Sequence, residues 1–259
     1  MSITSLSPSR AQDFMQCPQL FKYRAIDRLP EPPSAAALKG TLVHEVLERM
    51  FDLPAPDRTP DNVVELIEEA WDALLADDPA LLDVAVPGGD ASSANVLAWL
   101  NEARPLIHAY FRLEDPRRLE PEGREVEVRT ETASGLVLRG YVDRLDIAPD
   151  GAIRIVDYKT GKAPKPAYEG KALFQMRFYA LVVWRIRGEI PKMLQLLYLG
   201  SGEIVRYEPT EEDLLAIERT IMALHEAIER AIELDEWPTK TSRLCDWCAH
   251  KAICPAFSK

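Results

Sequence analysis

A chain of 259 residues, 47% apolar and 28% charged, can bury one large core or two small ones. No apolar run nears the roughly 20 residues that a bilayer-spanning helix needs, and the opening MSITSLSPSR lacks the basic and apolar parts of a secretory signal, so the expected location is the cytoplasm, away from membranes. The net charge of −11 argues against a simple nucleic-acid binder, but residues 151–192 carry 9 basic and 3 acidic groups, so an acidic chain can still present a basic face.

In chain order, Ser7 and Pro8 open a short helix over 7–16. Pro30, Pro32 and Pro33 break the chain. Leu42, Val43, Val46, Leu47 and Met50 recur at helical spacing and predict a helix over 36–51. A second amphipathic helix covers 61–76, opened by Asp61. Gly88 and Gly89 mark a loop, and a third helix covers 93–113. The period then changes to two. Strands are expected at 123–131 (an edge), 136–147 and 152–158, with Pro149-Asp150-Gly151 turning the last pair into a hairpin. A helix over 171–187, strands at 192–199 and 203–208, and an acidic helix over 210–236 follow. The tail from Trp237 is loop-like. This order predicts an α/β fold, a mixed sheet with helices on both sides.

The chemistry concentrates in Gly140-Tyr141-Val142-Asp143-Arg144-Leu145-Asp146 and Ile155-Val156-Asp157-Tyr158-Lys159-Thr160-Gly161. Alternate strand residues share a face, so Asp157 and Lys159 point the same way. Asp143 lies on the adjoining strand about 4.8 Å off, close enough for both carboxylates to reach one hard cation. Phosphodiester hydrolysis needs that combination: carboxylates for Mg²⁺ or Mn²⁺, and a lysine to orient water and stabilise developing charge. An isolated Asp-x-Lys is more often an exposed hairpin end. Here His44, on the helix 36–51, is a candidate third ligand, and Gln175 and Tyr179 share a helix face after the lysine strand. Glu127 could face the site from the preceding strand, although a solvent-facing edge residue is the blander reading.

The order His44, Asp143, Asp157-Tyr158-Lys159, Gln175 and Tyr179 resembles the RecB-type nucleases of the PD-(D/E)XK superfamily over almost the whole chain. It is closest to the stand-alone RecB-like exonucleases, including the CRISPR-associated ones, and to the AddB nuclease domain. The resemblance implies a restriction-endonuclease-like sheet with a divalent metal at the end of the hairpin. His44, Asp143, Asp157 and the Tyr158 carbonyl would bind that metal, Lys159 would be catalytic, and Gln175 and Tyr179 would line the DNA path. In the second half-motif, Val156-Asp157-Tyr158-Lys159, Asp stands where the superfamily name allows Asp or Glu.

Four cysteines in a cytosolic chain read more readily as a metal site than as disulfides. Cys245-x₂-Cys248-x₅-Cys254-Pro255 is compact, and Cys17 lies far upstream. Four thiolates suit structural zinc or an iron–sulfur cluster equally; a redox dithiol fits poorly in a C-terminal tail. The resemblance implies a [4Fe–4S] staple. Such a staple would also bring Lys22, Arg24, Arg28, Arg243 and Lys251 together as a patch for the phosphate backbone, and Lys162 is a further candidate DNA contact. Trp247 is expected to be buried beneath the cluster, with stacking on a base as the alternative. His250, His108 and His225 receive no role.

The resulting expectation is a metal-dependent DNA nuclease, an exonuclease on single-stranded ends in repair or recombination. Residues 36–236 form the nuclease domain, and segments 1–35 and 237–259 hold the cluster. No Gly-x₄-Gly-Lys-Ser/Thr sequence is present, so unwinding would need a partner helicase or repair complex. The alternatives are a non-catalytic DNA-binding or assembly module and a structural zinc protein.

Overall fold

The computed structural model describes residues 2–88, 92–165 and 170–257. The predicted Gly88–Gly89 loop is described only at Gly88, which takes a positive φ of 101°; Gly89 and the last two residues of the cysteine tail lie outside the described residues.

The chain enters through a two-residue strand β1 (Ser5–Leu6) and helix α1 (Pro8–Gln16), whose N-cap Ser7 accepts from the Arg10 amide. Pro18 starts a short helix α2 (Pro18–Phe21) that widens into a π-turn over Lys22–Ile26. Helices α3 (Ala35–Arg49) and α4 (Pro60–Asp77) follow. The cap of α4 is Thr59, with Asp61 one step inside the first turn, so the expected helix opens slightly earlier. A short α5 (Leu81–Ala85) comes next.

The helix expected over 93–113 is two helices, α6 (Ser93–Asn101) and α7 (Arg104–Leu113). Pro105 is the reason: it has no N–H to donate, and its ring excludes a helical carbonyl four residues back. The chain closes α6 with Glu102 N–H to Trp99 O and Ala103 N–H to Leu100 O, then starts again.

The strands are β2 (Gly123–Glu131), β3 (Val137–Ile147), β4 (Ile153–Lys159), β5 (Met193–Tyr198) and β6 (Glu203–Tyr207), with α8 (Gly170–Arg187) between β4 and β5 and α9 (Glu211–Leu234) last. Together with β1 they form one six-stranded mixed sheet in the order β1-β3-β4-β5-β6, with β2 on β3. The β3–β4 hairpin turns where predicted, with Gly151 at φ +88°. The β4–β5 pair is parallel, because α8 carries the chain back across the sheet.

Helices cover both faces. Ile153 and Ile155 of β4, with Leu194 and Leu196 of β5, meet α1, α8 and α9 in one core. Val156, Tyr158 and Leu197 point the opposite way, into a second core built with α3, α4 and α7. α8 buries Phe174, Met176 and the run from Phe178 to Val183, and leaves Gln175 and Arg177 half-buried. Helix α9 has a one-sided apolar stripe, Leu214, Ile217, Ile221 and Ile228, and a Thr210–Asp213 capping box.

Two features of β3 shape the site. Its pairing with β4 runs only from Arg144↔Val156 to Ile147↔Ile153, so the two strands part beyond Val156. The β2–β3 ladder also breaks once: Arg124↔Arg144 and Val126↔Val142 pair, but Glu125 and Asp143 between them do not. Glu125 has φ +45°. Val142 and Leu145, three apart, both enter the α8-side core. Alternation therefore slips in both strands together, with the register unchanged on either side of the break.

Candidate active site

The parted strands leave the Tyr158 amide without a strand partner on β3, and it donates to Asp143 Oδ2 at 2.6 Å. The Tyr158 carbonyl points back to α3, where His44 Nε2 lies 3.0 Å away. His44 Nδ1 is 3.6 Å from both Glu125 Oε1 and Asp143 Oδ2. His44, Glu125 and Asp143 can place one ligating atom each within 4.8 Å of one another. The break in the ladder, with Glu125 at φ +45°, is what turns Glu125 inward.

Asp157 and Lys159 share a face, as their spacing predicts. Lys159 Nζ lies 2.6 Å from Asp157 Oδ2 and donates to Gln175 Oε1 at 3.1 Å. Gln175 Nε2 donates to Asp157 Oδ1 and to the Tyr179 hydroxyl, at 3.1 and 3.2 Å. Gln175 therefore clasps both members of the Asp–Lys pair. Tyr179 packs directly over Gly140, where an added Cβ would come within 2.5 Å of Cε1 of the ring.

The electrostatics fit a group of side chains able to hold a cation. Burial, then the nearby Asp157 charge, pushes Asp143 up to about 7. Burial pulls His44 down, but Glu125 beside it and the Asp143 and Asp157 charges outweigh that and raise it to about 8. Lys159 is likewise lowered by burial and raised more by Asp157, a net upward shift. Asp157 is 2% exposed. Its Oδ2 makes no hydrogen bond although the Lys159 ammonium stands beside it. A buried oxygen with a spare lone pair, two further carboxylates, a backbone carbonyl and one imidazole make a donor set that suits Mg²⁺ or Mn²⁺.

Behind the site, Arg144 is fully buried and donates to the hydroxyls of Tyr158 and Tyr110 at 2.8 and 3.3 Å. It also pairs with Glu114 and Asp146, at 2.8 and 3.1 Å. The ion network thus grips the ring of the residue whose carbonyl faces His44.

The PD-(D/E)XK nuclease superfamily model matches residues 5–255. This chain belongs to the PD-(D/E)XK nuclease superfamily. Among curated proteins, this superfamily member is 23% identical over 291 residues to Gene 69 protein of Mycobacterium phage D29, covering 97% of this chain and 96% of that one. It is 28% identical over 123 residues to one of the subunits of the ATP-dependent helicase/deoxyribonuclease of Streptococcus mutans serotype c; that match spans 48% of this chain and 11% of the relative. A solved structure from Eubacterium rectale, named “Putative exonuclease”, superposes with a TM-score of 0.63 at 19% identity, covering 97% of this chain and 89% of that one. That likeness supports the PD-(D/E)XK fold. Among the described residues, no helix is long and apolar enough to cross a membrane.

The remaining predicted site residues fall in several places. Glu127 is exposed on β2, opposite Tyr141, and the acid that faces His44 is Glu125. Strict alternation would have put both on one face; the only sequence hint of the slip is that Arg124 and Glu125 are both polar. Lys22 is paired with Asp235, and Arg24 with Asp13 and Glu31, so acidic partners compensate both charges. Lys162 is exposed just beyond β4. Trp247 is 79% exposed rather than buried, because the short 3-10 turn Arg243–Trp247 points it outward. His250 is buried against Tyr23, 2.9 Å from Glu31.

Cys17, Cys245, Cys248 and Cys254 are not in disulfides, and all four line a single cavity of about 40 Å³ between α1 and the C-terminal turns. Backbone amides of Lys240 and Ser242 donate to the sulfurs of Cys17 and Cys245 at 3.5 and 3.3 Å. No three of these sulfurs lie within 4.8 Å of one another among the described residues.

Proposed function

We propose that this chain is a divalent-metal-dependent deoxyribonuclease, acting as an exonuclease on single-stranded DNA ends in repair or recombination. The observation that carries the reading is the parted β3–β4 hairpin. It lets Asp143 reach the Tyr158 amide and the Tyr158 carbonyl reach His44, while the next residues of β4 carry the Asp157–Lys159 pair. Mg²⁺ or Mn²⁺ bound there supplies Lewis acidity to the phosphate and to attacking water. The chain's own groups do the rest. His44, Asp143, Asp157 and the Tyr158 carbonyl hold the ion, and Glu125 adds a ligand that alternation alone would not suggest. Lys159, held as ammonium by Asp157, aligns the water and stabilises charge on the phosphate oxygens. Gln175 keeps that ammonium in place, and Gln175 and Tyr179 line the DNA path with Lys162 at its rim.

The exonuclease and deoxyribonuclease named among the relatives support this activity and substrate, and the helicase relative supports a helicase or repair-complex partner. A cytoplasmic location fits such a role. The four thiols fit a [4Fe–4S] cluster that joins segments 1–35 and 237–259 to the nuclease domain 36–236.

The test is cleavage of end-labelled single and double strands. Mn²⁺ and Mg²⁺ should support release of short products from single-stranded ends, whereas Ca²⁺, a larger and weaker Lewis acid, should support little. Asp157→Asn and Lys159→Met should each lower the rate at least a hundredfold with the fold intact. A wild-type rate in Asp157→Asn would overturn the assignment and leave the non-catalytic DNA-binding module as the better reading.

A further inference from the structure

Two grooves of opposite character flank the metal-ligating cleft. One, about 490 Å³, runs along α3 and is lined by His44, Glu45, Glu48 and Glu125. The other, about 460 Å³, is lined by Ser7, Ser9, Arg139, Tyr141, Gln175 and Tyr179. Phosphate is repelled by the first and is free to enter the second.

The second groove exists because of how β3 is paired. β2 occupies one edge of β3 from Val137 to Leu145. The other edge is shared: β1 takes Val137 and Leu138, and β4 starts only at Arg144. Residues 139–143 therefore have no strand neighbour on that side, and the sheet has a notch one short segment long. Its volume falls within the range of about 300–1,000 Å³ typical of small-ligand pockets. Gly140 and Tyr179 pack together at its floor. Gln175 ties it to the metal cleft, since it lines the notch and also bonds Asp157 and Lys159.

Arg139 and Tyr141 are two apart on β3 and both line the notch. Arg139 is exposed and makes no ion pair among the described residues. Tyr141 is 57% exposed, an aromatic ring left in solvent beside a buried catalytic pair. A ring with a free face beside an unpaired guanidinium is what a single-stranded nucleotide requires: a stacking platform for the base and a partner for the phosphate. A duplex has its base faces already stacked and cannot use the ring.

We propose that this notch is a subsite for one unpaired nucleotide next to the scissile phosphate, with Tyr141 stacking on its base and Arg139 pairing with its phosphate. The proposal rests on the nuclease reading above and names how the same site selects single strands.

The experiment uses the full chain with Ca²⁺ in place of Mn²⁺, and fluorescein-labelled single strands of roughly 15 nucleotides. One abasic position is moved along the strand, and affinity is read by anisotropy. Wild type should lose roughly tenfold in affinity at one abasic position. Tyr141→Ala should bind the intact strand roughly tenfold more weakly and ignore that position, and Tyr141→Phe should restore both. Arg139→Gln should weaken binding at every position alike and reduce the salt slope by about one. Both side chains are exposed, so unchanged melting temperatures should confirm that the variants fold. Tyr141→Ala matching wild type in affinity and abasic profile, while Mn²⁺-dependent cleavage persists, would overturn the subsite and spare the nuclease reading. A wild-type chain that neither binds nor cleaves DNA with any divalent cation would overturn both.

Discussion

Asp143 and His44 are each held against their ordinary ionisation, and the same few ångströms explain both. Asp143, raised to about 7, resists losing its proton because it is buried beside Asp157. His44, raised to about 8, keeps its proton because Glu125, Asp143 and Asp157 surround it. The signs combine. His44 contributes stability that is present below its unfolded pKa near 6.5 and lost as pH rises through 8; Asp143 ionised in the fold costs stability that its protonated form does not. The metal-free protein should therefore soften as pH rises from about 4 to about 8. A cation displaces both protons, so the increase in Tm produced by saturating Mn²⁺ should be larger at about pH 8.5 than at about pH 6. Calorimetric scans with and without Mn²⁺ would read this, and a pH-independent increase would place the ion elsewhere. His44→Ala should shrink the increase at both values.

At the scale of elements, the site depends on the close approach of α8 to β3 at Gly140. Gly140 lets the Tyr179 ring lie on the strand, and Tyr179 in turn meets Gln175, which holds Asp157 and Lys159. Gly140→Ala puts a methyl within 2.5 Å of that ring. Overpacking of this kind costs about 1–3 kcal/mol, and the displaced Tyr179 should also loosen Gln175. Urea melts should show that loss, and the cleavage rate should fall while Mn²⁺-dependent stabilisation survives. In the Gly140→Ala/Tyr179→Ala double variant the ring is gone, so the combined stability loss should be smaller than the sum of the two single losses. Simple addition would mean that the contact is not what links strand to helix.

At the scale of the molecule, the two ends of the chain meet. Cys17, at the end of α1, and three cysteines beyond residue 244 line one cavity. Tyr23 donates to the Ile253 carbonyl at 3.0 Å, and Lys22 pairs with Asp235. Neither contact closes a loop of this length firmly, because an exposed ion pair contributes about 0–1 kcal/mol and one hydrogen bond about 1 kcal/mol. A ligated cluster would remove unfolded-state entropy of about 5 kcal/mol in the chain model. Protein purified without oxygen should be brown and contain iron and sulfide. Cys17→Ala should lose the iron, melt earlier and become protease-sensitive near both ends, while any surviving cleavage still requires Mn²⁺ and Asp157. Colourless protein with one zinc per chain would replace the cluster with an ion and keep the staple.

Much of this was legible in the sequence because it is local. The 3.6-residue spacing of Leu42, Val46 and Leu47 and the alternation through Asp157 and Lys159 are properties of short segments, and the structure follows them. Pro105 was equally local, and its helix break could have been read from the proline alone. The superfamily was legible for a related reason: its metal chemistry needs particular residue types in a fixed chain order. What lay beyond the sequence depends on how strands part and slip. Glu125 rather than Glu127 faces His44 because the β2–β3 ladder breaks opposite Asp143. The notch at residues 139–143 exists because β1 and β4 divide one edge of β3. Lys22 and Arg24 are compensated by acids that the fold brings to them, Asp235 from far along the chain. Side-chain type and spacing determine which residues share a face. Only the packed sheet decides which faces meet, since that choice is made by burial and pairing between segments distant in sequence.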